Sequence, residues 1–230
     1  MQTRRTLLVL TLALLAMPRP VAAQIPPGPE ELKAYRGFHA AAAKGDVRAI
    51  ESLVRSKAPI DARDSYARTP LHVAAFMKKP DAARALLRLG ADANAFEAQQ
   101  YDIVTIAAVA DDVPMLRLAL DGGCKAGNIT SPYHGTALIA AAHLGHDEVV
   151  RTLIKAGAPL NHVNNLGWTA VIESIVLGDG GKRHIATLKA LVDAGADINL
   201  ADNSGNTPLT LAKRRGYTEM VAILEKAGAR

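Results

Sequence analysis

The sequence predicts an all-α repeat solenoid of about six helix–turn–helix units joined by short hairpin-like turns. Three observations predict it. A Thr-centred opening string recurs at a step near 33 residues, and a Gly-Ala string closes the units. The aromatic share is only 4% against a hydrophobic share of 49%, so the core must be built from small and medium aliphatic side chains.

In chain order, residues 1–5 are short and basic, residues 6–17 are uncharged and Leu-rich, and Pro18-Arg19-Pro20 breaks the run before Val21-Ala22-Ala23. That layout predicts a cleaved secretory signal over residues 1–23, with cleavage after Ala23. Thr3-Arg4-Arg5-Thr6-Leu7-Leu8 also resembles a twin-arginine export signal, which leaves the export route open. The apolar run is short for a bilayer span and no second one follows, so the expectation is no stable membrane insertion and a periplasmic or secreted protein. A Pro- and Gly-rich leader, residues 24–34, comes next, its first part expected to be flexible.

The repeats then begin. Arg68-Thr69-Pro70-Leu71-His72-Val73-Ala74-Ala75 is the clearest opening, echoed by Gly135-Thr136-Ala137-Leu138, Trp168-Thr169-Ala170-Val171 and Asn206-Thr207-Pro208-Leu209. Degenerate copies start at Arg36 and Asp102, and the successive steps are 33, 33, 34, 33 and 38 residues. Closing strings are Leu89-Gly90-Ala91-Asp92, Ala156-Gly157-Ala158-Pro159 and Ala194-Gly195-Ala196-Asp197. Within a unit, Thr followed by Pro reads as a helix start, because proline fits the first turn where its missing N–H is not needed. A turn near Gly145-His146 leads to a second helix with Val149, Val150, Leu153 and Ile154 on one face, and Gly157 ends it. Pro80 and Pro114 fall where second helices should begin. The expected units are residues 35–67, 68–100, 101–134, 135–167, 168–205 and 206–230. Ser52 in the first and Glu225 in the last replace aliphatic residues, as capping units facing water require.

A period near 33 with a Thr-Pro-Leu-His opening resembles the ankyrin repeat, and the resemblance covers residues 35–230. It implies that His39 and His72 hydrogen-bond neighbouring loops. It also implies that partners touch the turns and the first helix, at positions six, four, three and one before each Thr and seven and eight after it. Seven of the nine aromatic residues fall on those six positions, where proportion alone gives about 1.6. The resulting contact strip comprises Tyr66, Phe76, Phe96, Tyr101, Tyr133 and Trp168, joined by Arg68, Met77, Gln99 and His143.

Little else points to chemistry. Arg4, Arg5 and Arg19 lie in the signal, and the remainder carries 24 basic against 22 acidic residues, too even a balance for nucleic acid. One cysteine, Cys124, excludes an internal disulfide and reads as a small packed hydrophobe. His134, His143, His146 and His162 are loosely spaced and read as exposed polar residues, with a metal- or haem-handling role as the rival. The insertion Gly178-Asp179-Gly180-Gly181-Lys182-Arg183-His184 lacks the Walker spacing and reads as a flexible solvated loop or a basic hook. No Gly-x-Ser-x-Gly, His-Glu-x-x-His or paired-carboxylate motif is present. The sequence therefore predicts a non-enzymatic module without cofactor, monomeric on its own, that binds a protein of the bacterial envelope through its concave surface. Alternatives are an inhibitor or immunity protein for one secreted enzyme or toxin, and an accessory factor in oxidative-stress defence.

Overall fold

The computed structural model describes residues 24–230, and the signal expected over residues 1–23 lies outside them. A short helix α1 (Pro29–Ala34) precedes six helix pairs: α2 (Gly37–Lys44) with α3 (Val47–Arg55), α4 (Pro70–Phe76) with α5 (Pro80–Arg88), and α6 (Ile103–Val109) with α7 (Val113–Asp121). The chain continues through α8 (Ala137–Leu144) with α9 (Asp147–Lys155), α10 (Ala170–Val176) with α11 (Lys182–Asp193), and α12 (Pro208–Arg215) with α13 (Thr218–Lys226). First helices stack on first helices and second on second, so each pair buries its apolar side only against its neighbours.

Each start has a local cause. The side chains of Thr69, Asp102, Thr136, Thr169 and Thr207 accept the backbone N–H three residues on, satisfying one of the orphan donors of the first turn. Asp102 thus does the work of the missing threonine in its degenerate copy, while Arg36 offers no side-chain cap. Paired alanines such as Ala74 and Ala75, Ala107 and Ala108, and Ala141 and Ala142 are buried and let first helices approach closely. Second helices supply the bulk, with Val149, Val150 and Leu153 wholly buried in α9 and a left-handed Gly157 (φ 79°) closing it. Pro80 and Pro114 both sit in the first turn of their helices.

Repeats are tied by lateral hydrogen bonds as well as by packing. His39 Nε2 bonds the Arg68 carbonyl at 2.9 Å and His72 Nε2 the Tyr101 carbonyl at 3.1 Å, as the resemblance implies. Successive turns join through Ala98 N to Tyr66 O, Ser131 N to Gln100 O and Asn165 N to Tyr133 O. A further row tethers the ends of first helices: His146 to Ala108 O, His184 to His143 O and Arg215 to Val176 O.

Two segments expected to be loose are held. The leader is ordered: Arg68, with no exposed side-chain surface, donates to the Ile25 carbonyl at 2.9 Å and pairs with Asp64 and Glu31. Tyr35 hydroxyl closes this clasp on Asp64 at 2.6 Å. The insertion of the fifth unit adds length to α11, which has 12 residues, and leaves only a short loop. That loop is pinned by Tyr217 hydroxyl to the Gly178 carbonyl at 2.9 Å and by His184 to Asp179 at 2.8 Å. Arg183 is spent inside the molecule on Asp111 and Asp147; against the opposing effect of burial, hydrogen bonds from Arg151 and then Arg183 hold Asp147 below the usual carboxylate range. At the outer ends Ser52 is exposed, and exposed Glu225 pairs with Lys213 at 2.7 Å. No helix among the described residues is long and apolar enough to cross a membrane.

Candidate functional site

The concave side of the third to fifth repeats encloses a groove of about 540 Å³, walled by α6, α8 and α10 and by the turns that precede them. Its lining is mostly carbon, and four large apolar side chains on it face solvent: Tyr133 (41% exposed), Leu144 (40%), Leu166 (42%) and Leu177 (43%). A larger cleft of about 890 Å³ lies between α7 and α9. It is walled by charged side chains such as Arg117 and Glu148, which pair with each other at 3.1 Å in solvent. The groove is therefore the candidate site, because exposed apolar surface costs free energy that only a ligand recovers.

Of the ten residues expected on the contact strip, the groove gathers Tyr101, Tyr133, His143 and Trp168. Tyr133 and His143 are exposed and Trp168 is half-buried. Tyr101 is only 5% exposed, beside a turn whose Ser131 N–H bonds the adjacent Gln100 carbonyl, and burial pushes its phenol up to about 12. The other six lie elsewhere. Arg68 is wholly buried under the leader, with its guanidinium carbon 4.7 Å from the Tyr66 ring, so both belong to the N-terminal clasp. Phe76 and Met77 pack partly against the core, and Gln99 is half-buried. Phe96 is exposed, and its carbonyl accepts Arg63 at 2.6 Å.

Sequence reasoning missed Leu144, Leu166, Leu177 and Glu173. The three leucines occupy the same register as the aromatic strip, eight after or three before their Thr. Following apolar residues of every shape, rather than rings alone, reveals them. Glu173 was legible too. It stands four after Thr169, where the other copies carry Ala40, Val73, Ile106, Ala140 and Leu211. It is 4% exposed and lines the groove, near the start of α10, where the helix dipole favours a negative charge. Its Oε1 accepts Asn164 Nδ2 at 3.0 Å, while Oε2 has no hydrogen-bond partner among the described residues. The nearest base is His143, whose Nδ1 lies 3.4 Å from Oε2.

Asn164 is itself built for this. Its Oδ1 accepts the backbone N–H of Leu166 and of Trp168, each at 3.0 Å. The corresponding turn residues Asp64, Glu97 and Asp202 organise their turns the same way, but with a carboxylate. Only an amide leaves a donor over for Glu173; an acid at position 164 would repel it.

Two of the remaining histidines are occupied structurally, while His134 is exposed. His146 and His162 spend a ring nitrogen on the carbonyls of Ala108 and His134. Among the described residues no three His, Cys, Asp or Glu converge as metal ligands. Burial, reinforced by Asp102 and Asp92, pushes the Cys124 thiol up to about 12, so it stays protonated and unreactive.

A stacked helix-pair array with an apolar concave groove is the architecture of a repeat-built binding scaffold. The chain belongs to the ankyrin repeat family: a family model for ankyrin repeats (3 copies) matches residues 25–97 and 104–202, and one for ankyrin repeats (many copies) matches residues 180–225. It is 31% identical over 190 residues to the ankyrin repeat protein YahD of Escherichia coli strain K12, covering 82% of this chain and 94% of that one. An ankyrin repeat domain from Acinetobacter baumannii AYE superposes with a TM-score of 0.80 at 44% identity, over 84% of this chain and 98% of that one. The ankyrin repeat protein EF0377 gives a TM-score of 0.78 at 30% identity over the same shares. Ankyrin repeat proteins are generally non-enzymatic modules for protein–protein interaction.

Proposed function

We propose that this chain is an exported, non-enzymatic binding module of the bacterial envelope that seizes one protein partner in the groove of its third to fifth repeats. The observation that carries this is the gathering of Tyr133, Leu144, Leu166 and Leu177, all exposed, around half-buried Trp168 on one concave face. Aromatic and aliphatic anchors on a rigid, preformed surface bind at low conformational cost. Export rests on the basic, apolar and small-residue sequence of residues 1–23. On this reading the mature chain begins at Gln24, is a monomer by itself, and needs no cofactor.

Capture from envelope extract, read by mass spectrometry, tests the reading, with a Tyr133→Ala/Trp168→Ala double variant as control. One partner enriched by the parent and lost from the folded variant supports it; equal enrichment by both removes the groove from the account. Mass spectrometry of the exported protein should find Gln24 at the amino terminus, and an intact Met1 in the periplasmic fraction refutes cleavage. A one-to-one complex of sub-nanomolar affinity that silences an enzyme assigns the module to inhibition.

A further inference from the structure

We propose that the groove recognises an arginine side chain of its protein partner, flanked by apolar residues, whose guanidinium pairs with Glu173. This deepens the protein-binding reading and rests on it. The argument begins with cost. A carboxylate taken out of water in an apolar wall is destabilising unless its lone pairs are met, and retaining one against five apolar counterparts in its column needs a compensation. Asn164 satisfies one oxygen, at 3.0 Å. The other, Oε2, is unpartnered on a side chain that is 5% exposed, and it lies 3.4 Å from the partly exposed ring of His143. For a guest to reach Oε2, the proposal requires that this exposed ring turn away from the carboxylate.

The surroundings select the guest. Trp168 and Tyr133 line the groove with aromatic side chains, and Leu166 and Leu177 offer exposed apolar flanks, beside this single carboxylate. A planar guanidinium stacks on aromatic rings and is more weakly hydrated than an ammonium, so it loses less on entering such a groove. Hydrogen bonds from a charged donor to a desolvated carboxylate are among the stronger ones available to an interface. Apolar residues on either side of the arginine would cover the leucines. Asn164 and Glu173 act as a matched pair within one repeat: the amide orients the carboxylate and leaves its second oxygen for the guest.

The test uses a random heptapeptide library displayed on phage and selected on the purified protein, with Glu173→Gln and Glu173→Leu beside it. Circular dichroism and thermal melts establish that at least one variant is folded. Trp168 is the only tryptophan, so its fluorescence reports occupancy of the groove directly. Selected peptides are expected to share an arginine between apolar residues. Replacing that arginine by citrulline should weaken binding about tenfold, a value fitting one charged pair. On the folded Glu173 variant the arginine and citrulline peptides should bind within about twofold of each other. Peptides that quench Trp168 but carry no common arginine, or an arginine preference that survives loss of Glu173, overturn the proposal and leave the protein-binding reading standing. No enrichment above a Tyr133→Ala/Trp168→Ala control overturns both.

Discussion

Replacing Arg68 by methionine keeps an aliphatic stem and removes only the guanidinium, which isolates the leader clasp. In the native protein Arg68 has no exposed side-chain surface, Asp64 is 8% exposed and Glu31 30%. The guanidinium meets Asp64 at 2.7 Å, the Ile25 carbonyl at 2.9 Å and Glu31. Breaking a buried pair by removing one partner costs about 3–5 kcal/mol, because a charge is left uncompensated. Asp64 here keeps the Tyr35 hydroxyl at 2.6 Å and the backbone N–H groups of positions 66 and 68, so the lower end, about 3 kcal/mol, is expected. Urea unfolding followed by circular dichroism measures it: at a slope of about 2–3 kcal/mol/M the midpoint falls by about 1–1.5 M. Trypsin should then cut at Lys33 and Arg36 under native conditions, since the clasp that orders the leader is gone. A loss below about 1 kcal/mol with the leader still protected would refute the reasoning, and would mean that packing alone seats it.

Three further outcomes follow from the same structure. His72 is buried with Nε2 on the Tyr101 carbonyl and Nδ1 facing the Thr69 N–H, and burial lowers it to about 4. Its neutral form therefore contributes stability in full above the unfolded value near 6.5, lost progressively as pH falls to about 4, for a total of about 3 kcal/mol; an NMR titration showing His72 to ionise near 6.5 would contradict this. Tyr101→Ala should cost about 3 kcal/mol, since the ring is buried, whereas exposed Tyr133→Ala should shift stability by less than about 0.5 kcal/mol; equal melting shifts for the two would show that the burial difference is immaterial. Gln100 holds a left-handed backbone (φ 63°) at a turn position that Gly167 and Gly205 fill in later copies, so Gln100→Gly should raise stability by about 0.5–1 kcal/mol in a chemical melt, and a decrease would speak against strain there.

The architecture was legible in the sequence because each helix start is a local event. Thr69, Thr136, Thr169 and Thr207 cap with their own side chains, and Asp102 shows that the column is read through its hydrogen bond rather than through residue identity. The groove was legible only in register. Arg68, Tyr101 and Trp168 share one column, yet the first is sealed by the leader, the second is buried beside the next turn and the third is half-open. Those differences come from what surrounds each, and no period of 33 carries that information. The leader itself looked loose because its Pro and Gly content says nothing of a buried arginine 43 residues away. Glu173 is the instructive case, since one acid in an otherwise aliphatic column is visible in the sequence alone, whereas its burial and its bond to Asn164 are not.

The lateral hydrogen bonds also give the array a polarity of wear. Its first repeats are held by the buried Arg68 clasp, while its sixth is held by the solvent-exposed pair of Lys213 and Glu225 and the tether of Arg215. In a chain stabilised by nearest-neighbour couplings, disorder enters at the weaker edge and moves inward one unit at a time. Amide exchange should accordingly be fastest in α13, slower in α12, and slowest in α4 to α8. The groove, set between the third and fifth units, then has one sacrificial unit standing between it and the fraying edge.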